Sequence, residues 1–575
     1  MMQNIHNAAD LAPHYDVVIV GAGPAGLSAA IEASNHGLVV LLADENQSPG
    51  GQIYRSVEHA SDADLGRMGP DYATGRTLLE RFRQAKVSYA PSATVWSVGP
   101  ADEETGDGVH PLEVGISLGG IAQPIAAHRV ILATGALERP FPIPGWTMPG
   151  VMAAGAAQIL MKASGLVPSG RTILAGTGPL IYLLASQLLR AGVFVTAVVD
   201  TTPAENWRSA LPHVFSFATS PYALKGMKLL LDLHRRTRVI RGVTAMEAIG
   251  SRQFSTLRVR KGNKSLHIEG DLLLLHQGIA PNLNLALAAG CDYLWDERLA
   301  AFRPAVDVCG ASSVPGVSIA GDAAGTVGAV ASASQGELAG LSASLALNRI
   351  GRGAYEKRRN QLARKLARAL RGRTFIEHRF RPGERFRVPK DDGTIVCRCE
   401  EIETGKLREV AALGAPGPNQ MKAFTRCGMG PCQGRLCGLT AVELLAQCRG
   451  VPPGEVGYYR LRPPVKPVTL GELAALPHTE TAIIAVAGSV ERPYDGAQGE
   501  LRPPRRAPVP SALTCPILAA DRVAVRAFSP RLAAAAELHA FADEIPASTA
   551  PDGKHGISDR LGRNKGYARR RSPLP

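Results

Sequence analysis

Short apolar runs alternate with amphipathic segments over the first 350 residues of the chain. The run 16–20 precedes a segment with helical periodicity at 27–36, and a second apolar run follows at 38–43. The same order returns over 171–199. Buried parallel strands are near-continuous apolar runs, and the helices between them form the crossovers. The pattern therefore predicts an α/β protein with two Rossmann-like units.

After residue 350 the pattern predicts mainly helices. A basic helix is expected over 355–370, followed by an arginine-rich extended segment, and another helix is expected over 404–413. Thr440 and Glu443 have the spacing of a capping box, which predicts the start of a last helix. Pro/Ala/Arg-rich runs predict that residues 470–575 are a disordered tail.

Length and composition are typical of a multidomain globular protein. At 575 residues the chain exceeds the size at which one core keeps growing, so three or four domains are expected. Residues 1–13 are polar, so no signal peptide is predicted. The longest uncharged apolar stretch, 172–189, contains glycine, proline and glutamine and is typical of a strand–turn–helix. We therefore expect a cytoplasmic protein without a transmembrane segment.

The net charge of +14 is concentrated in two segments. Residues 351–390 carry +11 and residues 501–575 carry +7, so the rest of the chain carries −4. A basic groove over the folded body is not expected, which disfavours nucleic-acid binding. The segment 351–390 has two interpretations: a solvated linker, or a docking strip for an acidic partner surface or for cofactor phosphates.

The first apolar run opens a glycine-rich turn that is typical of dinucleotide binding. Such glycines let the backbone approach a pyrophosphate, which lies at the N-terminus of the following helix. Two acids end the second strand, and one of them is expected to bind the ribose hydroxyls. Counting through the helix favours Asp44, whereas counting back from the next glycine pair favours Glu45. The residues of the turn are Gly21, Gly23, Pro24, Ala25 and Gly26.

Two later strands indicate which dinucleotide binds. One strand ends in Ala-Thr-Gly, and the other ends in Gly-Asp before a helix rich in alanine and glycine. With the first turn, they resemble the two-dinucleotide-binding-domain flavoproteins. The resemblance implies FAD: the first strand packs on it, the aspartate binds its ribityl chain, and a Gly-Gly-Gln loop contacts the flavin. The residues concerned are Gly51, Gln52, Thr134, Gly135, Gly321, Asp322 and Gln335.

A second glycine turn lies between these segments. Gly176 and Gly178 have the Rossmann spacing, but Ile181 stands where the third glycine allows close helix–strand packing. The next strand ends at Asp200, which suits a ribose 2′-hydroxyl. Three interpretations remain open: a site for NAD(H), a site for another adenine nucleotide, or a fold kept without a ligand. The region has no C-x-x-C motif, which argues against a dithiol mechanism.

Cysteines are concentrated near residue 400, where five of the nine fall within 41 positions. A C-x-C pair followed by closely spaced cysteines can present four thiolates to one metal centre. Soft thiolates select zinc, Cu(I) or iron–sulfur clusters. Zinc is the main rival, although structural zinc sites usually have C-x₂₋₄-C spacing. In a chain without a secretory signal, this grouping argues against disulfides.

The cysteine spacing resembles the bacterioferritin-associated-ferredoxin-like [2Fe–2S] domain, in which C-x-C is followed by a second close pair. From Cys399, 32 residues intervene before Cys432 and only 27 before Cys427. The resemblance therefore implies Cys397, Cys399, Cys432 and Cys437 as ligands. Cys427 is the alternative fourth ligand.

The order of these segments, with the stretches 149–158, 175–180 and 276–282, resembles one family. It comprises the FAD-containing A (alpha) subunits of opine (octopine or nopaline) oxidases, D-hydroxyproline and proline dehydrogenases, and hydrogen cyanide synthase. The resemblance implies that a beta-type flavin oxidase subunit oxidises the substrate C–N bond and that this chain relays the electrons through FAD and [2Fe–2S]. It also admits an FMN at the subunit interface and peripheral membrane contact through the electron acceptor.

The implied domain organisation follows from that family. The FAD-binding domain is split over 14–150 and 275–350, and an NAD-type Rossmann-like domain is inserted at 151–274. The basic linker 351–390 precedes the [2Fe–2S] domain at 391–465.

No residue is predicted to be catalytic. Arg55 and His276 lie near recognisable motifs, but the sequence shows no partner for either. Two rival functions stay open. One is a self-contained NADH-dependent FAD and iron–sulfur oxidoreductase, and the other is an iron–sulfur carrier or sensor with a vestigial flavin fold.

Overall fold

The computed structural model describes residues 1–101 and 111–476, together with the backbone of residues 567–568. Most of the segment predicted to be a disordered tail, 470–575, lies outside the described residues. Its first residues form a short helix, Leu470–Ala474, which Thr469 and Glu472 cap reciprocally. Within the described residues, no helix combines the length and the apolar character needed to cross a membrane.

The N-terminal part of the chain builds a mixed sheet around one parallel core. Its elements are β1 (Gln3–Asn4), β2 (His14–Val20), α1 (Pro24–Asn35), β3 (Val40–Asp44), α2 (Asp62–Met68), α3 (Pro70–Gln84), β4 (Ser88–Pro91), β5 (Thr94–Pro100), β6 (Leu112–Leu118), β7 (Ile121–Leu132) and β8 (Ala136–Glu138). The strand order is β1-β4-β3-β2-β7-β6-β5. The pairs from β1 to β7 are parallel, and the β5-β6-β7 edge is antiparallel.

The next part builds a second, parallel sheet with the order β13-β12-β11-β17-β9 and a three-stranded antiparallel sheet, β14-β15-β16. Its elements are β9 (Val151–Ala153), α4 (Ala154–Ser164), β10 (Val167–Pro168), β11 (Thr172–Thr177), α5 (Pro179–Arg190), β12 (Val195–Asp200), α6 (Asn206–Ala210), α7 (Val214–Ala218), α8 (Pro221–Arg236), β13 (Arg238–Arg241), β14 (Ala245–Gly250), β15 (Phe254–Lys261), β16 (Lys264–Glu269), β17 (Leu272–Gln277) and β18 (Ile279–Pro281).

The remainder returns to the first sheet and then forms helices. Its elements are α9 (Asn284–Ala288), β19 (Tyr293–Asp296), β20 (Ala301–Pro304), β21 (Val317–Ile319), α10 (Ala329–Ala346), α11 (Arg352–Leu370), α12 (Arg373–Arg379), β22 (Ile395–Cys397), β23 (Ile402–Glu403), α13 (Thr404–Ala412), α14 (Pro418–Thr425), α15 (Gly438–Arg449), α16 (Pro453–Val456), α17 (Leu470–Ala474) and β24 (Tyr567–Ala568). Strand β21 pairs with β7 in parallel, so the first sheet contains strands from both sides of the insertion.

Small residues let α1 and α10 pack closely. A Cβ atom at Gly336 would lie 2.0 Å from the carbonyl oxygen of Ala25, and one at Gly340 would lie 2.6 Å from that of Ala29. Glycine is therefore required where α10 crosses the helix that opens the first nucleotide turn. This contact explains the alanine- and glycine-rich composition of the helix after the Gly-Asp strand.

The sequence pattern predicts an extended arginine-rich segment after residue 370, but the structure shows a helix there. It forms α12, because Phe375 packs against Phe217 and Trp207 with ring centroids 4.3 and 5.9 Å apart. The preceding helix α11 is paired as well: Arg358 donates to Glu32 at 2.8 and 2.9 Å, and Lys365 pairs with Glu337 at 2.7 Å. Residues 351–390 are therefore anchored to the folded body at these contacts, while many α11 side chains stay exposed.

Glu443 does not form the capping box predicted with Thr440. Helix α15 begins at Gly438, so Glu443 lies inside it, and its carboxylate pairs with Arg139 at 3.2 Å and with Arg387. All three side chains are almost fully buried. The ion triad joins the loop after β8, the segment after α12 and the cysteine-bearing part of the chain.

We expect Glu443→Gln to destabilise the protein by about 3–5 kcal/mol, because two guanidinium groups would keep their buried charge without an anion. The matched control is Glu409→Gln, whose carboxylate is exposed and pairs with Lys406 at 2.9 Å. A surface pair contributes about 0–1 kcal/mol. Urea unfolding followed by tyrosine and tryptophan fluorescence measures the free energy of unfolding of both variants. Equal midpoints for the two variants would contradict the triad's structural role.

Candidate functional site

The first glycine turn has the close packing that a pyrophosphate site requires. Gly21 has φ +105°, and a Cβ atom there would lie 2.5 Å from the carbonyl oxygen of Ala133. A Cβ atom at Gly26 would lie 1.8 Å from the carbonyl oxygen of Gly21. Helix α1 begins at Pro24, so its unpaired N–H groups face the turn. The turn therefore fits a dinucleotide phosphate.

The two acids after β3 have different environments. Asp44 is buried, and its carboxylate accepts from the backbone N–H of Ala22 at 2.5 Å and from Asn46 at 2.7 Å. Burial raises the pKa of Asp44, although these hydrogen bonds oppose the shift. Glu45 lies at the surface and pairs with Lys466 at 2.7 Å. Asp44 lines the cavity beside the glycine turn, so it remains the candidate ribose acid.

One cavity of about 580 Å³ runs along the carboxyl ends of the β2 and β7 strands. Three of the predicted FAD residues, Gly26, Gly321 and Gln335, are not among the residues that line the cavity. Gly26 is buried in the turn, and the Gln335 side chain accepts from the backbone N–H of Gly321 at 3.0 Å, which orders the Gly-Asp turn. The predicted FAD residues that line the cavity are Gly21, Gly23, Pro24, Ala25, Asp44, Glu45, Gly51, Gln52, Thr134, Gly135 and Asp322.

A lysine that the sequence pattern did not single out lines the cavity beside Gln52. Lys162, on α4, donates to the Gln52 carbonyl at 3.0 Å and to the Gln158 side chain at 3.2 Å. Burial, followed by repulsion from Arg55, lowers the pKa of Lys162 to about 7. Because Gln52 belongs to the loop expected to contact the flavin, Lys162 is expected to lie near the flavin ring. The i, i+4 spacing of Gln158 and Lys162 on a helix beside the cavity was the available signal.

We expect Lys162→Met to lower the two-electron reduction potential of the bound flavin. Reduction adds negative charge to the ring, and the ammonium group stabilises that charge through a poorly solvated environment. A shift of about 30 mV corresponds to a tenfold change in the equilibrium. Potentiometric titration of the purified chain below pH 7, where the Lys162 ammonium group is charged, measures the shift, with the exposed Lys264→Met variant as control. Identical potentials in both variants would place the flavin ring elsewhere.

The second glycine turn does not offer a free ribose acid. The Asp200 carboxylate accepts from the Tyr182 hydroxyl at 2.6 Å and from the Thr202 backbone N–H at 2.8 Å, and Arg241 lies 3.7 Å away. It is 2% exposed and does not line the cavity. Phe380 packs against Tyr182 at 6.4 Å between ring centroids. The residues present therefore do not fit the Asp200–ribose contact that the sequence had suggested.

The glycines of this turn have structural partners too. A Cβ atom at Gly176 would lie 1.6 Å from the carbonyl oxygen of His276, so this glycine is needed where β11 meets β17. Gly178 lines the cavity, and Ile181 is fully buried in the core. A branched side chain thus occupies the position where the first turn accommodates only glycine.

We expect NADH not to bleach the flavin of the isolated chain under anaerobic conditions, because the acid of the second turn is already bound by protein groups. Absorbance at the flavin band during NADH addition measures this. Dithionite is the positive control, since it reduces any accessible flavin. Full bleaching by stoichiometric NADH would contradict this expectation.

His276 does have a partner, contrary to the sequence analysis. Its Nδ1 lies 2.5 Å from Oε1 of Glu138, and the other oxygen of Glu138 accepts from the backbone N–H of Gly155 at 2.8 Å. The pair joins β8, β17 and the start of α4. It fixes the junction of the two sheets beside the cavity.

Three of the five clustered cysteines form one compact group. The sulfur atoms of Cys397, Cys427 and Cys437 lie within 4.8 Å of one another, and all three residues are buried. The thiols of Cys427 and Cys437 hydrogen-bond to the Cys397 sulfur, which lowers the pKa of Cys397 and raises that of Cys437. Cys427, which the sequence analysis treated as the alternative, therefore belongs to the central group.

Cys399 and Cys432 form an adjacent pair. The Cys432 backbone N–H and thiol both hydrogen-bond to Cys399, and burial raises the pKa of Cys399. A Cβ atom at Gly430 would lie 2.4 Å from that of Cys399, so the glycine-rich loop lies directly against this pair. This pair lies close enough to the central group for Cys397 to contribute to the raised pKa of Cys399, and five thiols are more than a four-ligand cluster requires.

The loop around the cysteines has features suited to a thiolate-bound metal group. The backbone N–H groups of Gly428 and Glu400 hydrogen-bond to the Cys397 sulfur. The Tyr459 hydroxyl donates to the Cys427 carbonyl oxygen at 2.9 Å and to the Cys427 sulfur at 3.6 Å. Such donors around sulfur adjust the potential of an iron–sulfur group. Several soft thiols surrounded by N–H donors fit a [2Fe–2S] cluster.

The cysteine loop reaches the flavin cavity. Arg435, between Cys432 and Cys437, lines the cavity and donates to the carbonyl oxygens of Cys432 at 3.2 Å and Val465 at 2.7 Å. Asn284 donates to the carbonyl oxygen of Gln433 at 2.9 Å. The same short loop therefore supplies thiols to one site and a wall to the other.

Two family models match the chain. Residues 15–337 match the pyridine nucleotide-disulphide oxidoreductase family, and residues 399–476 match the sarcosine oxidase A3 domain. The chain is 46% identical over 491 residues to the A subunit of opine oxidase from Agrobacterium tumefaciens (strain Ach5), with 85% of this chain and 97% of that protein covered. It is 30% identical over 464 residues to the HcnB subunit of hydrogen cyanide synthase from Pseudomonas protegens, with 78% and 96% covered.

A solved structure confirms the predicted fold class. The L-proline dehydrogenase from P. horikoshii superposes with a TM-score of 0.58 at 20% identity, covering 82% of this chain and 80% of that one. At this identity the likeness concerns the fold alone. The two-dinucleotide-binding-domain architecture predicted from the glycine turns is therefore present.

Proposed function

Because this chain belongs to the family of opine oxidase A subunits, we propose that it is the electron-transfer subunit of a hetero-oligomeric amino-acid or opine dehydrogenase or oxidase. A partner flavin subunit oxidises the C–N bond of a secondary amine, and this chain passes the electrons to an acceptor. When bound, FAD and a [2Fe–2S] cluster supply two-electron and one-electron transfer.

The contact between the cysteine loop and the flavin cavity carries the proposal. Arg435 belongs to both sites, so no separate domain has to move to bring them together. Continuity of this kind suits electron transfer, which needs redox groups held close in a fixed arrangement. It distinguishes a relay from an iron–sulfur carrier with a vestigial flavin fold, for which the FAD turn would have no reason to stay intact.

The residues of the chain have separable roles in this scheme. The turn from Gly21 to Gly26 and the Asp44 carboxylate hold the FAD phosphates and ribose, and Asp322 holds the ribityl chain. Lys162 lies beside Gln52 and supplies positive charge to the cavity below pH 7. For the cluster we propose Cys397 and Cys437 with two of the other three thiols, the family resemblance favouring Cys399 and Cys432. No step is assigned to the second glycine turn.

Co-expression with the partner flavin subunit tests the proposal. The purified complex should contain FAD and iron on this chain and should reduce an artificial dye when given an opine, an imino acid or glycine. A complex that is fully loaded with flavin and iron, yet inert with every one of these substrates, would overturn the proposed function. Cytoplasmic location stays a prediction, which cell fractionation tests.

A further inference from the structure

Helices α6, α7 and α8, with the turn between α6 and α7, carry several large exposed apolar side chains. We call the segment 206–236 the α6–α8 surface. Its outward side chains are 47–78% exposed, with Phe215 the most exposed of them. Contiguous apolar patches of this kind mark interaction sites in soluble proteins. The side chains are Trp207, Leu211, Phe215, Leu224, Met227 and Leu231.

Helix α8 has two apolar faces, and the chain covers only one of them. Leu233 is fully buried, and Leu229 and Leu230 pack against the same core. Leu224, Met227 and Leu231 point away from that core and are 54–55% exposed. Large apolar side chains that share an exposed face of a soluble protein mark an interaction site. The outer face is therefore expected to be covered in the assembled protein.

The charge around this surface selects an acidic occupant. Five basic residues and one acid give the segment 206–236 a net charge of +4. Lys225 pairs with Asp71, and Arg236 lies near Asp232. Among the described residues, Arg208, Lys228 and Arg235 have no ion-pair partner. A second copy would present the same charge, and residues 501–575 carry +7, so both are poor occupants.

The surface lies directly behind a wall of the flavin cavity. Phe375, on α12, stacks on Phe217 at 4.3 Å, and Arg379 lies 4.8 Å from the ring centroid of Trp207. The same helix lines the cavity with Arg373 and Glu377. A protein bound to the α6–α8 surface would therefore be separated from the flavin cavity by helix α12.

We propose that the α6–α8 surface docks an acidic-rimmed apolar face of the partner redox subunit. This inference rests on the proposed function and names where the partner binds. Aromatic, methionine and arginine side chains are the residues enriched at protein interfaces, and the surface contains all three. Its position beside the flavin cavity favours a redox protein over an anionic lipid surface, which shares part of the same chemistry.

Titration of the full chain with the purified partner subunit tests the docking site. Phe215→Asp and Leu231→Asp place a charge in the apolar face at exposed positions. Loss of a central apolar anchor is expected to weaken binding about 30-fold or more. The matched control is Phe424→Asp, since Phe424 is 64% exposed on α14, away from this surface. Flavin and iron content are measured for every variant.

The outcomes distinguish failure of the docking site from failure of the proposed function. Weak binding by both variants with normal binding by Phe424→Asp supports the site. Wild-type affinity in all three overturns the site and leaves the proposed function standing. If the wild-type chain fails to bind the partner, the proposed function falls with it. If the variants lose only their sedimentation with phosphatidylglycerol vesicles, the surface binds lipid and the proposal is wrong.

Discussion

Replacing Cys397 or Cys437 by serine is expected to remove the cluster completely. Both sulfurs belong to the buried group in which three thiols lie within 4.8 Å of one another. A serine hydroxyl is a hard, weakly acidic ligand and does not replace a soft thiolate at iron. Iron and acid-labile sulfide in the purified variants should fall to background, and dye reduction by the assembled complex should fall with them.

The same series resolves the ligand set. Cys448→Ser is the control, because Cys448 is exposed on α15 and outside the loop. If Cys427→Ser keeps its iron and Cys432→Ser loses it, the ligands implied by the family resemblance are correct. The reverse result assigns the fourth position to the buried thiol. Full iron content in Cys397→Ser would contradict a cluster at this site.

Replacing Gly26 by alanine is expected to abolish FAD binding. The added Cβ atom would lie 1.8 Å from the carbonyl oxygen of Gly21, and this backbone atom moves only if the turn opens. The third glycine of a dinucleotide turn is needed for this close packing. The purified variant should contain no flavin by absorbance after denaturation, while the cysteine region keeps its iron.

Gly66→Ala is the matched control for that variant. Gly66 lies in α2, and a Cβ atom there has no neighbour within 4 Å. Alanine in a helix is favoured over glycine by about 1 kcal/mol, so this variant should keep its FAD and its stability. Stoichiometric FAD in Gly26→Ala would show that the first turn is not the flavin site.

Local features of the molecule were predictable because local sequence determines them. The turn from Gly21 to Gly26 follows from the order of strand, glycines, helix and acid over a few tens of residues. The basic helix α11 follows from its composition, and the cysteine grouping follows from spacing. Each of these signals lies within one segment, so no knowledge of distant contacts was needed.

Features that depend on distant contacts were missed. Glu443 has the spacing of a cap, but two arginines more than 50 residues away use its carboxylate instead. Asp200 ends a strand as a ribose acid would, yet its carboxylate accepts hydrogen bonds from Tyr182 and Thr202. The arginine-rich composition of α12 gives no sign of the distant aromatic contacts, from Phe375 to Trp207 and Phe217, that stabilise this helix. The fold of the cysteine loop brings Cys427 beside Cys397 and Cys437. The spacing of the cysteines along the sequence does not show this.

Anaerobic reduction of the cluster by an amine substrate tests the central claim most directly. The complex of this chain with its partner flavin subunit is mixed with substrate, and cluster absorbance and electron paramagnetic resonance are followed. The account predicts that the cluster is reduced in the complex at the rate of turnover, and that it stays oxidised when the isolated chain meets the same substrate. Turnover by a complex whose cluster stays oxidised, or substrate oxidation by the isolated chain, would contradict the relay.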